Sequence, residues 1–297
     1  MNILLTGSSG FIGTNLMIYL NKHTAERVIC VDKVKRNVEM VHKNLIDPTF
    51  FKDLPKIGLI IHCAADPCIL SAYDNPRAMI DNNLLATINC LELARRDKSD
   101  FVFLSTNRVY PIKDRVRSLY GATKLCSEHL IVEYADMFGL RYVINRLSII
   151  SGKFQNGHLH HGPVSYWVKQ HLTGGELNYI GYGGKGRQVR DILNVDDLCR
   201  LIDYEVNNMA RVNGETFDVG GGIANSVSFK ELTEIVQKVT WRKIKVGGVK
   251  ENRKSDIEVY VSDLRHVKRV TGWEPRKTVK ETVSDVFNYL LKRKETT

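Results

Sequence analysis

Along the first half of the chain, short runs of apolar, β-branched residues alternate with longer stretches whose apolar positions recur every three or four residues. The short runs at Ile3–Thr6, Arg27–Val31, Gly58–His62, Phe101–Leu104 and Tyr142–Asn145 predict strands. Between them, Gly10–Lys22, Asn75–Arg96 and Leu119–Phe138 carry helical periodicity, and Asp74-Asn75-Pro76 predicts a helix cap with proline in the first turn. Strands that alternate with helices over short connections form right-handed crossovers and therefore parallel neighbours. The expected fold class is α/β, with a doubly wound parallel sheet.

After Arg146 the pattern changes. Apolar runs shorten, Gly and His accumulate, and Gly174–Gly186 is rich in glycine. Thr216–Val219 then predicts a further buried strand, followed by the Gly220-Gly221-Gly222 turn and amphipathic helices over Ser228–Val239 and Thr278–Leu291. The expected organisation is two interleaved lobes: residues 1–147 with about 192–222, and a smaller lobe of about 148–191 with 223–297.

Composition changes this picture in three places. The balance of 43 Lys+Arg against 33 Asp+Glu gives +10, which favours an anionic partner. The cations are scattered (Lys33–Arg36, Arg95-Arg96, Lys185–Arg190, Lys292–Lys294) with no basic arm, so charge alone leaves phosphorylated metabolites and nucleic acid both open. No apolar run reaches the ~20 residues of a membrane span, and Met1-Asn2 leads straight into the first strand without a leader pattern. Six cysteines form no C-x-x-C pair, which speaks against a zinc ribbon or a disulfide framework and for a reducing cytoplasm. His158, His160 and His161 are spaced closely enough for a metal, but without a neighbouring carboxylate or Cys they read as a polar loop, and no metal site is expected.

The first strand runs through Gly7-Ser8-Ser9-Gly10-Phe11-Ile12-Gly13 into a helix. The spacing is G-x-x-G-x-x-G, and glycines there permit a tight turn that exposes the N–H groups of a helix N-terminus, Phe11 and Ile12 included, to a pyrophosphate. Asp32 closes the second strand about 20 residues on, where a carboxylate accepts ribose hydroxyls. Together these predict a Rossmann-type dinucleotide site. The Asp32 charge repels a 2′-phosphate, so NAD is expected over NADP, with Lys33, Lys35 and Arg36 as the cations that oppose that argument.

A second group follows the fourth predicted strand. Tyr120 and Lys124 stand four apart at the start of a helix, so they share a face, and an ammonium beside a phenol favours the phenolate. Thr106, at the end of the preceding strand, supplies a hydroxyl that can bond a substrate oxygen.

With these residues, His62-Cys63-Ala64-Ala65-Asp66, Asn82-Asn83-Leu84-Leu85-Ala86-Thr87, Arg190-Asp191, Arg253-Lys254-Ser255-Asp256 and Gly272-Trp273-Glu274-Pro275 make nearly the whole chain resemble the extended short-chain dehydrogenase/reductase family, specifically its nucleotide-sugar epimerases and dehydratases. The resemblance implies that Thr106, Tyr120 and Lys124 are catalytic, and that Tyr120 and Lys124 also touch the cofactor, NAD. It places Gly7, Gly10, Phe11, Ile12, Gly13 and Asp32 at the pyrophosphate and adenosine ribose. Asn44 and Leu45 fall on the adenine side, Ala64 and Ala65 along the cofactor's middle, and Leu147 and Ser148 beside the nicotinamide, with Lys33, Asp66 and Asn83 as further cofactor-binding residues. Arg190 and Arg253 match arginines that hold a sugar nucleotide's diphosphate, a task suited to bidentate guanidinium groups. Each also has an ion-pair reading, with Asp191 or Asp256.

Departures narrow the reaction. Relatives that act as 4,6-dehydratases carry an Asp-Glu pair after the catalytic Thr, and here Asn107 and Arg108 occupy those places at the sugar. Asn has no proton to give and Arg stays charged, which disfavours dehydration. The run Thr106–Tyr110 with Arg146-Leu147-Ser148 looks most like the CDP-paratose/CDP-tyvelose 2-epimerase branch, although Pro111 and Lys43-Asn44 depart from the family pattern. The expected activity is an NAD-dependent nucleotide-sugar epimerase. A dehydrogenase, reductase or dehydratase on the same three residues is the alternative, and a dinucleotide-sensing or RNA-binding regulator is the reading from another class. The resemblance also implies a homodimer through helices 75–96 and 119–138.

Overall fold

The computed structural model describes residues 1–34, 40–111, 118–157, 162–253 and 256–295, with backbone only at 294 and 295. The histidine cluster, Lys35, Arg36 and Lys254-Ser255 lie outside the described residues. The chain divides into two units. The first comprises Met1–Leu147, Cys199–Phe217 and His266–Gly272, and the second Ser148–Leu198, Asp218–Arg265 and Trp273–Thr297.

The first unit is the expected α/β fold. Its elements run β1 (Asn2–Thr6), α1 (Phe11–His23), β2 (Arg27–Asp32), β3 (Val41–His42), β4 (Leu59–His62), α2 (Ser71–Asp74), α3 (Pro76–Ile80), α4 (Ala86–Asp97), β5 (Asp100–Thr106), α5 (Leu119–Phe138) and β6 (Tyr142–Leu147). The sheet order is β6-β5-β4-β1-β2-β3, every neighbour parallel, and Glu215–Val219 adds a strand beyond β6. Strands that are apolar at nearly every position, such as Leu59–His62, are buried on both faces, as parallel sheets require. The predicted helix over 75–96 is three pieces: Asn75 caps α3 by accepting from the Ala78 N–H at 3.0 Å, and a π turn over Asp81–Leu85 separates α3 from α4.

Residues 266–272 join this unit because His266 Nε2 meets Glu215 at 2.7 Å and Arg211 donates to the Val270 carbonyl at 2.8 Å. Also within it, Asn145 on β6 faces Glu205, which is fully buried. Asn145 Nδ2 donates to Glu205 Oε2 at 3.0 Å, while Glu205 Oε1 and Asn145 Oδ1 have no hydrogen-bond partner among the described residues. Burial pushes the Glu205 carboxyl up to about 8. The protonated acid carries one donor, and Asn145 Oδ1 is a buried acceptor in need of one.

The second unit contains β7 (Ile149–Ser151), α6 (Pro163–Thr173), β8 (Leu177–Ile180), β9 (Val189–Asn194), β11 (Ser226–Ser228), α9 (Phe229–Thr240), β12 (Val246–Val249), β13 (Val259–Tyr260) and α11 (Val279–Glu295); β10 is the Glu215–Val219 strand, and α7 (Val195–Asn207), α8 (Met209–Val212) and α10 (Arg265–Thr271) complete the series. β9 pairs with β7, β11 and β13, so residues 192–194 belong here; with 195–198 and 218–222 they were expected in the first lobe, whereas 266–272, expected here, fall in the first unit. Its core is built by Val164, Trp167, Leu232, Val236, Val283 and Val286. No helix among the described residues is long and apolar enough to cross a membrane.

Candidate active site

In the first unit β1 lies between β2 and β4, so the chain leaves β1 in one direction and returns on its other side. A crevice at the carboxyl ends of the strands is the consequence. Gly7 there has φ +68°, and a Cβ on it would sit 2.7 Å from the Ala64 backbone nitrogen; a Cβ on Gly13 would sit 2.1 Å from the Gly7 carbonyl oxygen. Both glycines are required because backbone packs directly on backbone.

α1 opens at Gly10 with no side chain among the described residues capping it and no acidic residue in its first turn. By contrast, α5 and α9 are capped by Ser118 and Ser228. Uncapped donors at the positive end of a helix suit a phosphate. Asp32 Oδ2 accepts the Ser9 N–H and Oδ1 the Val34 N–H, each at 2.9 Å, which orients the carboxylate and leaves lone pairs for two hydroxyls.

A cleft of about 270 Å³ opens between these groups. Of the residues named from sequence, Gly7, Gly10, Asp32, Lys33, Asn44 and Leu45 line it, with Ala64, Ala65 and Asp66 opposite. Ser9, Val34, Lys43, Ile46, Cys63, Asn82 and Ala86 also line it without having been assigned there. Ser9 and Asn82 had a readable signal, since each neighbours a residue that was named. Phe11, Ile12, Gly13, Asn83, Tyr120, Lys124, Leu147 and Ser148 are not among the lining residues.

Asn83 explains its absence by what it holds. It is buried on the π turn, accepts the Asp66 N–H at 2.7 Å and donates to the Asp66 carbonyl at 3.1 Å and to Thr123 Oγ1 at 3.3 Å. It therefore clamps the cleft wall. Behind it runs a line of hydrogen bonds through buried His62, whose ring burial pushes down to about 3 and so keeps neutral. Thr87 donates to the Asn83 carbonyl at 2.6 Å, which leaves its oxygen to accept from His62 Nε2 at 3.1 Å. His62 Nδ1 then accepts from Thr6 at 2.8 Å, and Thr6 accepts the Ala64 N–H at 3.3 Å.

The three expected catalytic residues meet at the far end of this wall. Ser118 accepts the Gly121 N–H at 3.1 Å and starts α5 so that Tyr120 falls in its first turn. Thr106, the last residue of β5, accepts the Arg108 N–H at 3.3 Å and is hydrogen-bonded to the Tyr120 hydroxyl. Burial pushes Tyr120 up to about 12; the Thr106 bond and the Arg108 cation pull against that, and Asp66 adds to it. Lys124 is buried, its ammonium 4.2 Å from the Phe103 ring centre. Burial pushes Lys124 down to about 8, against Cys63 and Glu128, which favour its charge. The Arg108 cation thus acts on the Tyr120 phenol, a neighbour that helical spacing did not give.

In the second unit, Arg190 is buried and engages Asp256 at 3.1 Å and the carbonyls of Val189, Ile257 and Glu258. Arg253 is exposed. Ser148 donates to Asp191 Oδ1 at 2.5 Å and its N–H bonds the Val219 carbonyl at 2.9 Å. Leu147 is buried in the first unit.

Residues 3–220 match the NAD-dependent epimerase/dehydratase family. The chain belongs to that family. Its cofactor is NAD, and the uncapped α1, the side-chain-free cradle of Gly7 and Gly13 and the oriented Asp32 carboxylate fit that molecule. The chain is 25% identical to the CDP-paratose 2-epimerase of Salmonella typhi, over 97% of this chain and 99% of that one. The fold is that of UDP-glucose 4-epimerase from Thermotoga maritima, solved with UDP-glucose (TM-score 0.88, 24% identity, 99% of each chain). It is also that of the Thermus thermophilus UDP-glucose 4-epimerase solved with NAD (TM-score 0.87, 22% identity, 98% of this chain and 99% of that one).

Within this family the Asp32 carboxylate carries a direct expectation. NAD should bind more tightly than NADP, and Asp32→Ala should narrow the gap by about tenfold, an estimate that takes ~1.4 kcal/mol for two hydroxyl bonds and one repulsion. Titration of both cofactors by fluorescence checks it. Tighter NADP binding by the unsubstituted protein refutes the role given to Asp32.

Proposed function

We propose that the protein is an NAD-dependent nucleotide-sugar epimerase that inverts one sugar carbon by transient oxidation to a ketone. The observation that carries this reading is the Thr106–Tyr120 hydrogen bond beside a buried Lys124, whose ammonium acts on Cys63 in the cleft wall. NAD bound in the cleft supplies a hydride acceptor, a positively charged ring and, once reduced, a hydride donor.

Tyr120 takes the proton of the sugar hydroxyl as its carbon is oxidised, and returns it after the ketone has turned its other face. Burial keeps the resting phenol protonated, so Tyr120 would first release that proton to solvent, a loss that the Arg108 cation and the positive ring of bound NAD would favour, before its phenolate takes the sugar's. Thr106 steadies the phenol oxygen and the reacting sugar oxygen, and Arg108 stabilises the negative charge between them. Lys124 binds the cofactor's nicotinamide ribose. Asn107 and Arg108 offer no carboxyl for removal of water, which favours epimerisation over dehydration. Arg253 presents a guanidinium for the diphosphate, and Arg190 organises the 256–258 segment.

A screen of UDP-, CDP-, GDP- and dTDP-sugars by proton NMR tests the proposal. Conversion between two epimers without accumulation of NADH is expected; stoichiometric NADH release or loss of water would replace this reading with dehydrogenase or dehydratase chemistry. The homodimer through residues 75–96 and 119–138 belongs to the same proposal. Of the apolar stripe Leu84, Leu91, Leu125, Leu130 and Val132 on these segments, Leu91 is fully buried in the first unit's core and Leu130 packs against it, which leaves Leu84, Leu125 and Val132 to face a partner. Sedimentation at micromolar concentration should give a dimer, and a monomer alone would count against it.

A further inference from the structure

We infer that Glu128 is a positioning residue, whose buried carboxylate holds the strand end that carries Thr106 in register with Tyr120. The inference rests on the catalytic roles proposed above for Thr106 and Tyr120. A buried ion pair is by itself weak evidence of function. Here the argument is the position of its partners.

Glu128 lies one helical turn after Lys124 and two after Tyr120, on the same face of α5. Its oxygens are saturated. Ser105 donates to Oε1 at 2.5 Å, Arg146 Nε lies 3.2 Å from both oxygens, and Arg146 Nη2 donates to Oε2 at 2.7 Å. Ser105 on β5 and Arg146 on β6 are register partners, and the next pair along is Thr106 with Leu147. Side chains alternate along a strand, so fixing Ser105 on one face fixes the direction of the Thr106 hydroxyl on the other.

Arg146 extends the same anchor. Its Nη1 donates to the Tyr110 hydroxyl at 3.1 Å, and its guanidinium stacks 4.9 Å from the Tyr110 ring centre. Tyr110 in turn closes the 107–109 turn, its N–H bonded to the Asn107 carbonyl at 3.2 Å. The segment that carries Thr106, Asn107 and Arg108 is therefore tied at both ends, by Ser105 before it and Tyr110 after it, to one carboxylate on the catalytic helix. That carboxylate also favours the charged form of Lys124, whose other titratable neighbours are the Cys63 thiol and the neutral His62 ring.

Three variants test this, with turnover of the sugar nucleotide found by the screen, thermal melting, and two NMR readouts on the substrate-free protein: Lys124 titration and the Tyr120 ζ-carbon shift, which reports its bond to Thr106. Glu128→Gln should lower kcat by about 10–100-fold with KM changed by less than about 3-fold, and should move Lys124 titration and the basic limb of kcat to lower pH. Glu128→Asp keeps the charge but cannot reach both partners, so the basic limb should return while kcat stays depressed. Ser105→Ala removes one donor and should shift the Tyr120 ζ-carbon resonance in a normally melting protein, even if Glu128→Gln fails to fold. An unchanged Tyr120 resonance in Ser105→Ala, unchanged kcat, or a loss confined to KM or melting temperature overturns the inference. Should Tyr120→Phe remain active, the proposed function falls; should it be inactive while the Glu128 and Ser105 variants behave as the unsubstituted protein, only this inference falls.

Discussion

Tyr120→Phe is expected to abolish epimerisation while NAD binding stays within about threefold. The change removes one oxygen and keeps the ring, so α5 and its first turn remain in place. What disappears is the Thr106-bonded oxygen proposed to take the proton of the sugar hydroxyl. General acid–base catalysis contributes typically ~10²–10⁴-fold, and hydride departure is coupled to this proton, so kcat should fall by about 10⁴-fold, or roughly 5 kcal/mol in transition-state stabilisation. Single-turnover measurement of the NADH intermediate is the sharper check. A variant that still reduces bound NAD at the normal rate would show that another base serves.

Glu205→Gln should stabilise the protein, and the gain should grow with pH. The folded carboxyl titrates near 8 against an ordinary value of 4.5, so across that interval the folded state holds a proton that the unfolded state has released. Stability contributed by this group is complete below pH 4.5 and declines as pH rises towards 8, at up to ~1.4 kcal/mol per pH unit. Glutamine carries the donor permanently and pairs with Asn145 in the same way. Urea unfolding at pH 5 should show a small difference, and at pH 8 a gain of roughly 3 kcal/mol for the variant. A pH-independent difference would mean that Glu205 is not the proton carrier.

The sheet was legible because its strands are apolar on both faces, and the glycine turn because Gly7 and Gly13 have no steric alternative. β5 was cut short at Leu104 for the converse reason: Ser105 and Thr106 are polar, and their strand geometry comes from pairing with Arg146 and Leu147. The π turn was hidden, since one extra residue in a helical turn leaves the composition of Asp81–Leu85 unchanged. Helical spacing set Tyr120 and Lys124 on one face but could not give the direction of a four-carbon side chain, which turns to Phe103 and Cys63. Ser105, Glu128 and Arg146 are far apart in sequence, and each reads as a solvated polar residue until the fold brings them together.

The line from the Ala64 N–H through Thr6, His62 and Thr87 to the Asn83 carbonyl has a direction, each hydroxyl and ring accepting on one side and donating on the other. Reversing or deleting one link strands its neighbours, because a buried donor without an acceptor costs ~1–3 kcal/mol. The three side chains are therefore expected to change together. Across related sequences Thr6, His62 and Thr87 should be kept or exchanged as a set, with Thr and Ser interchangeable at the hydroxyl positions and Val confined to chains that have also lost the histidine.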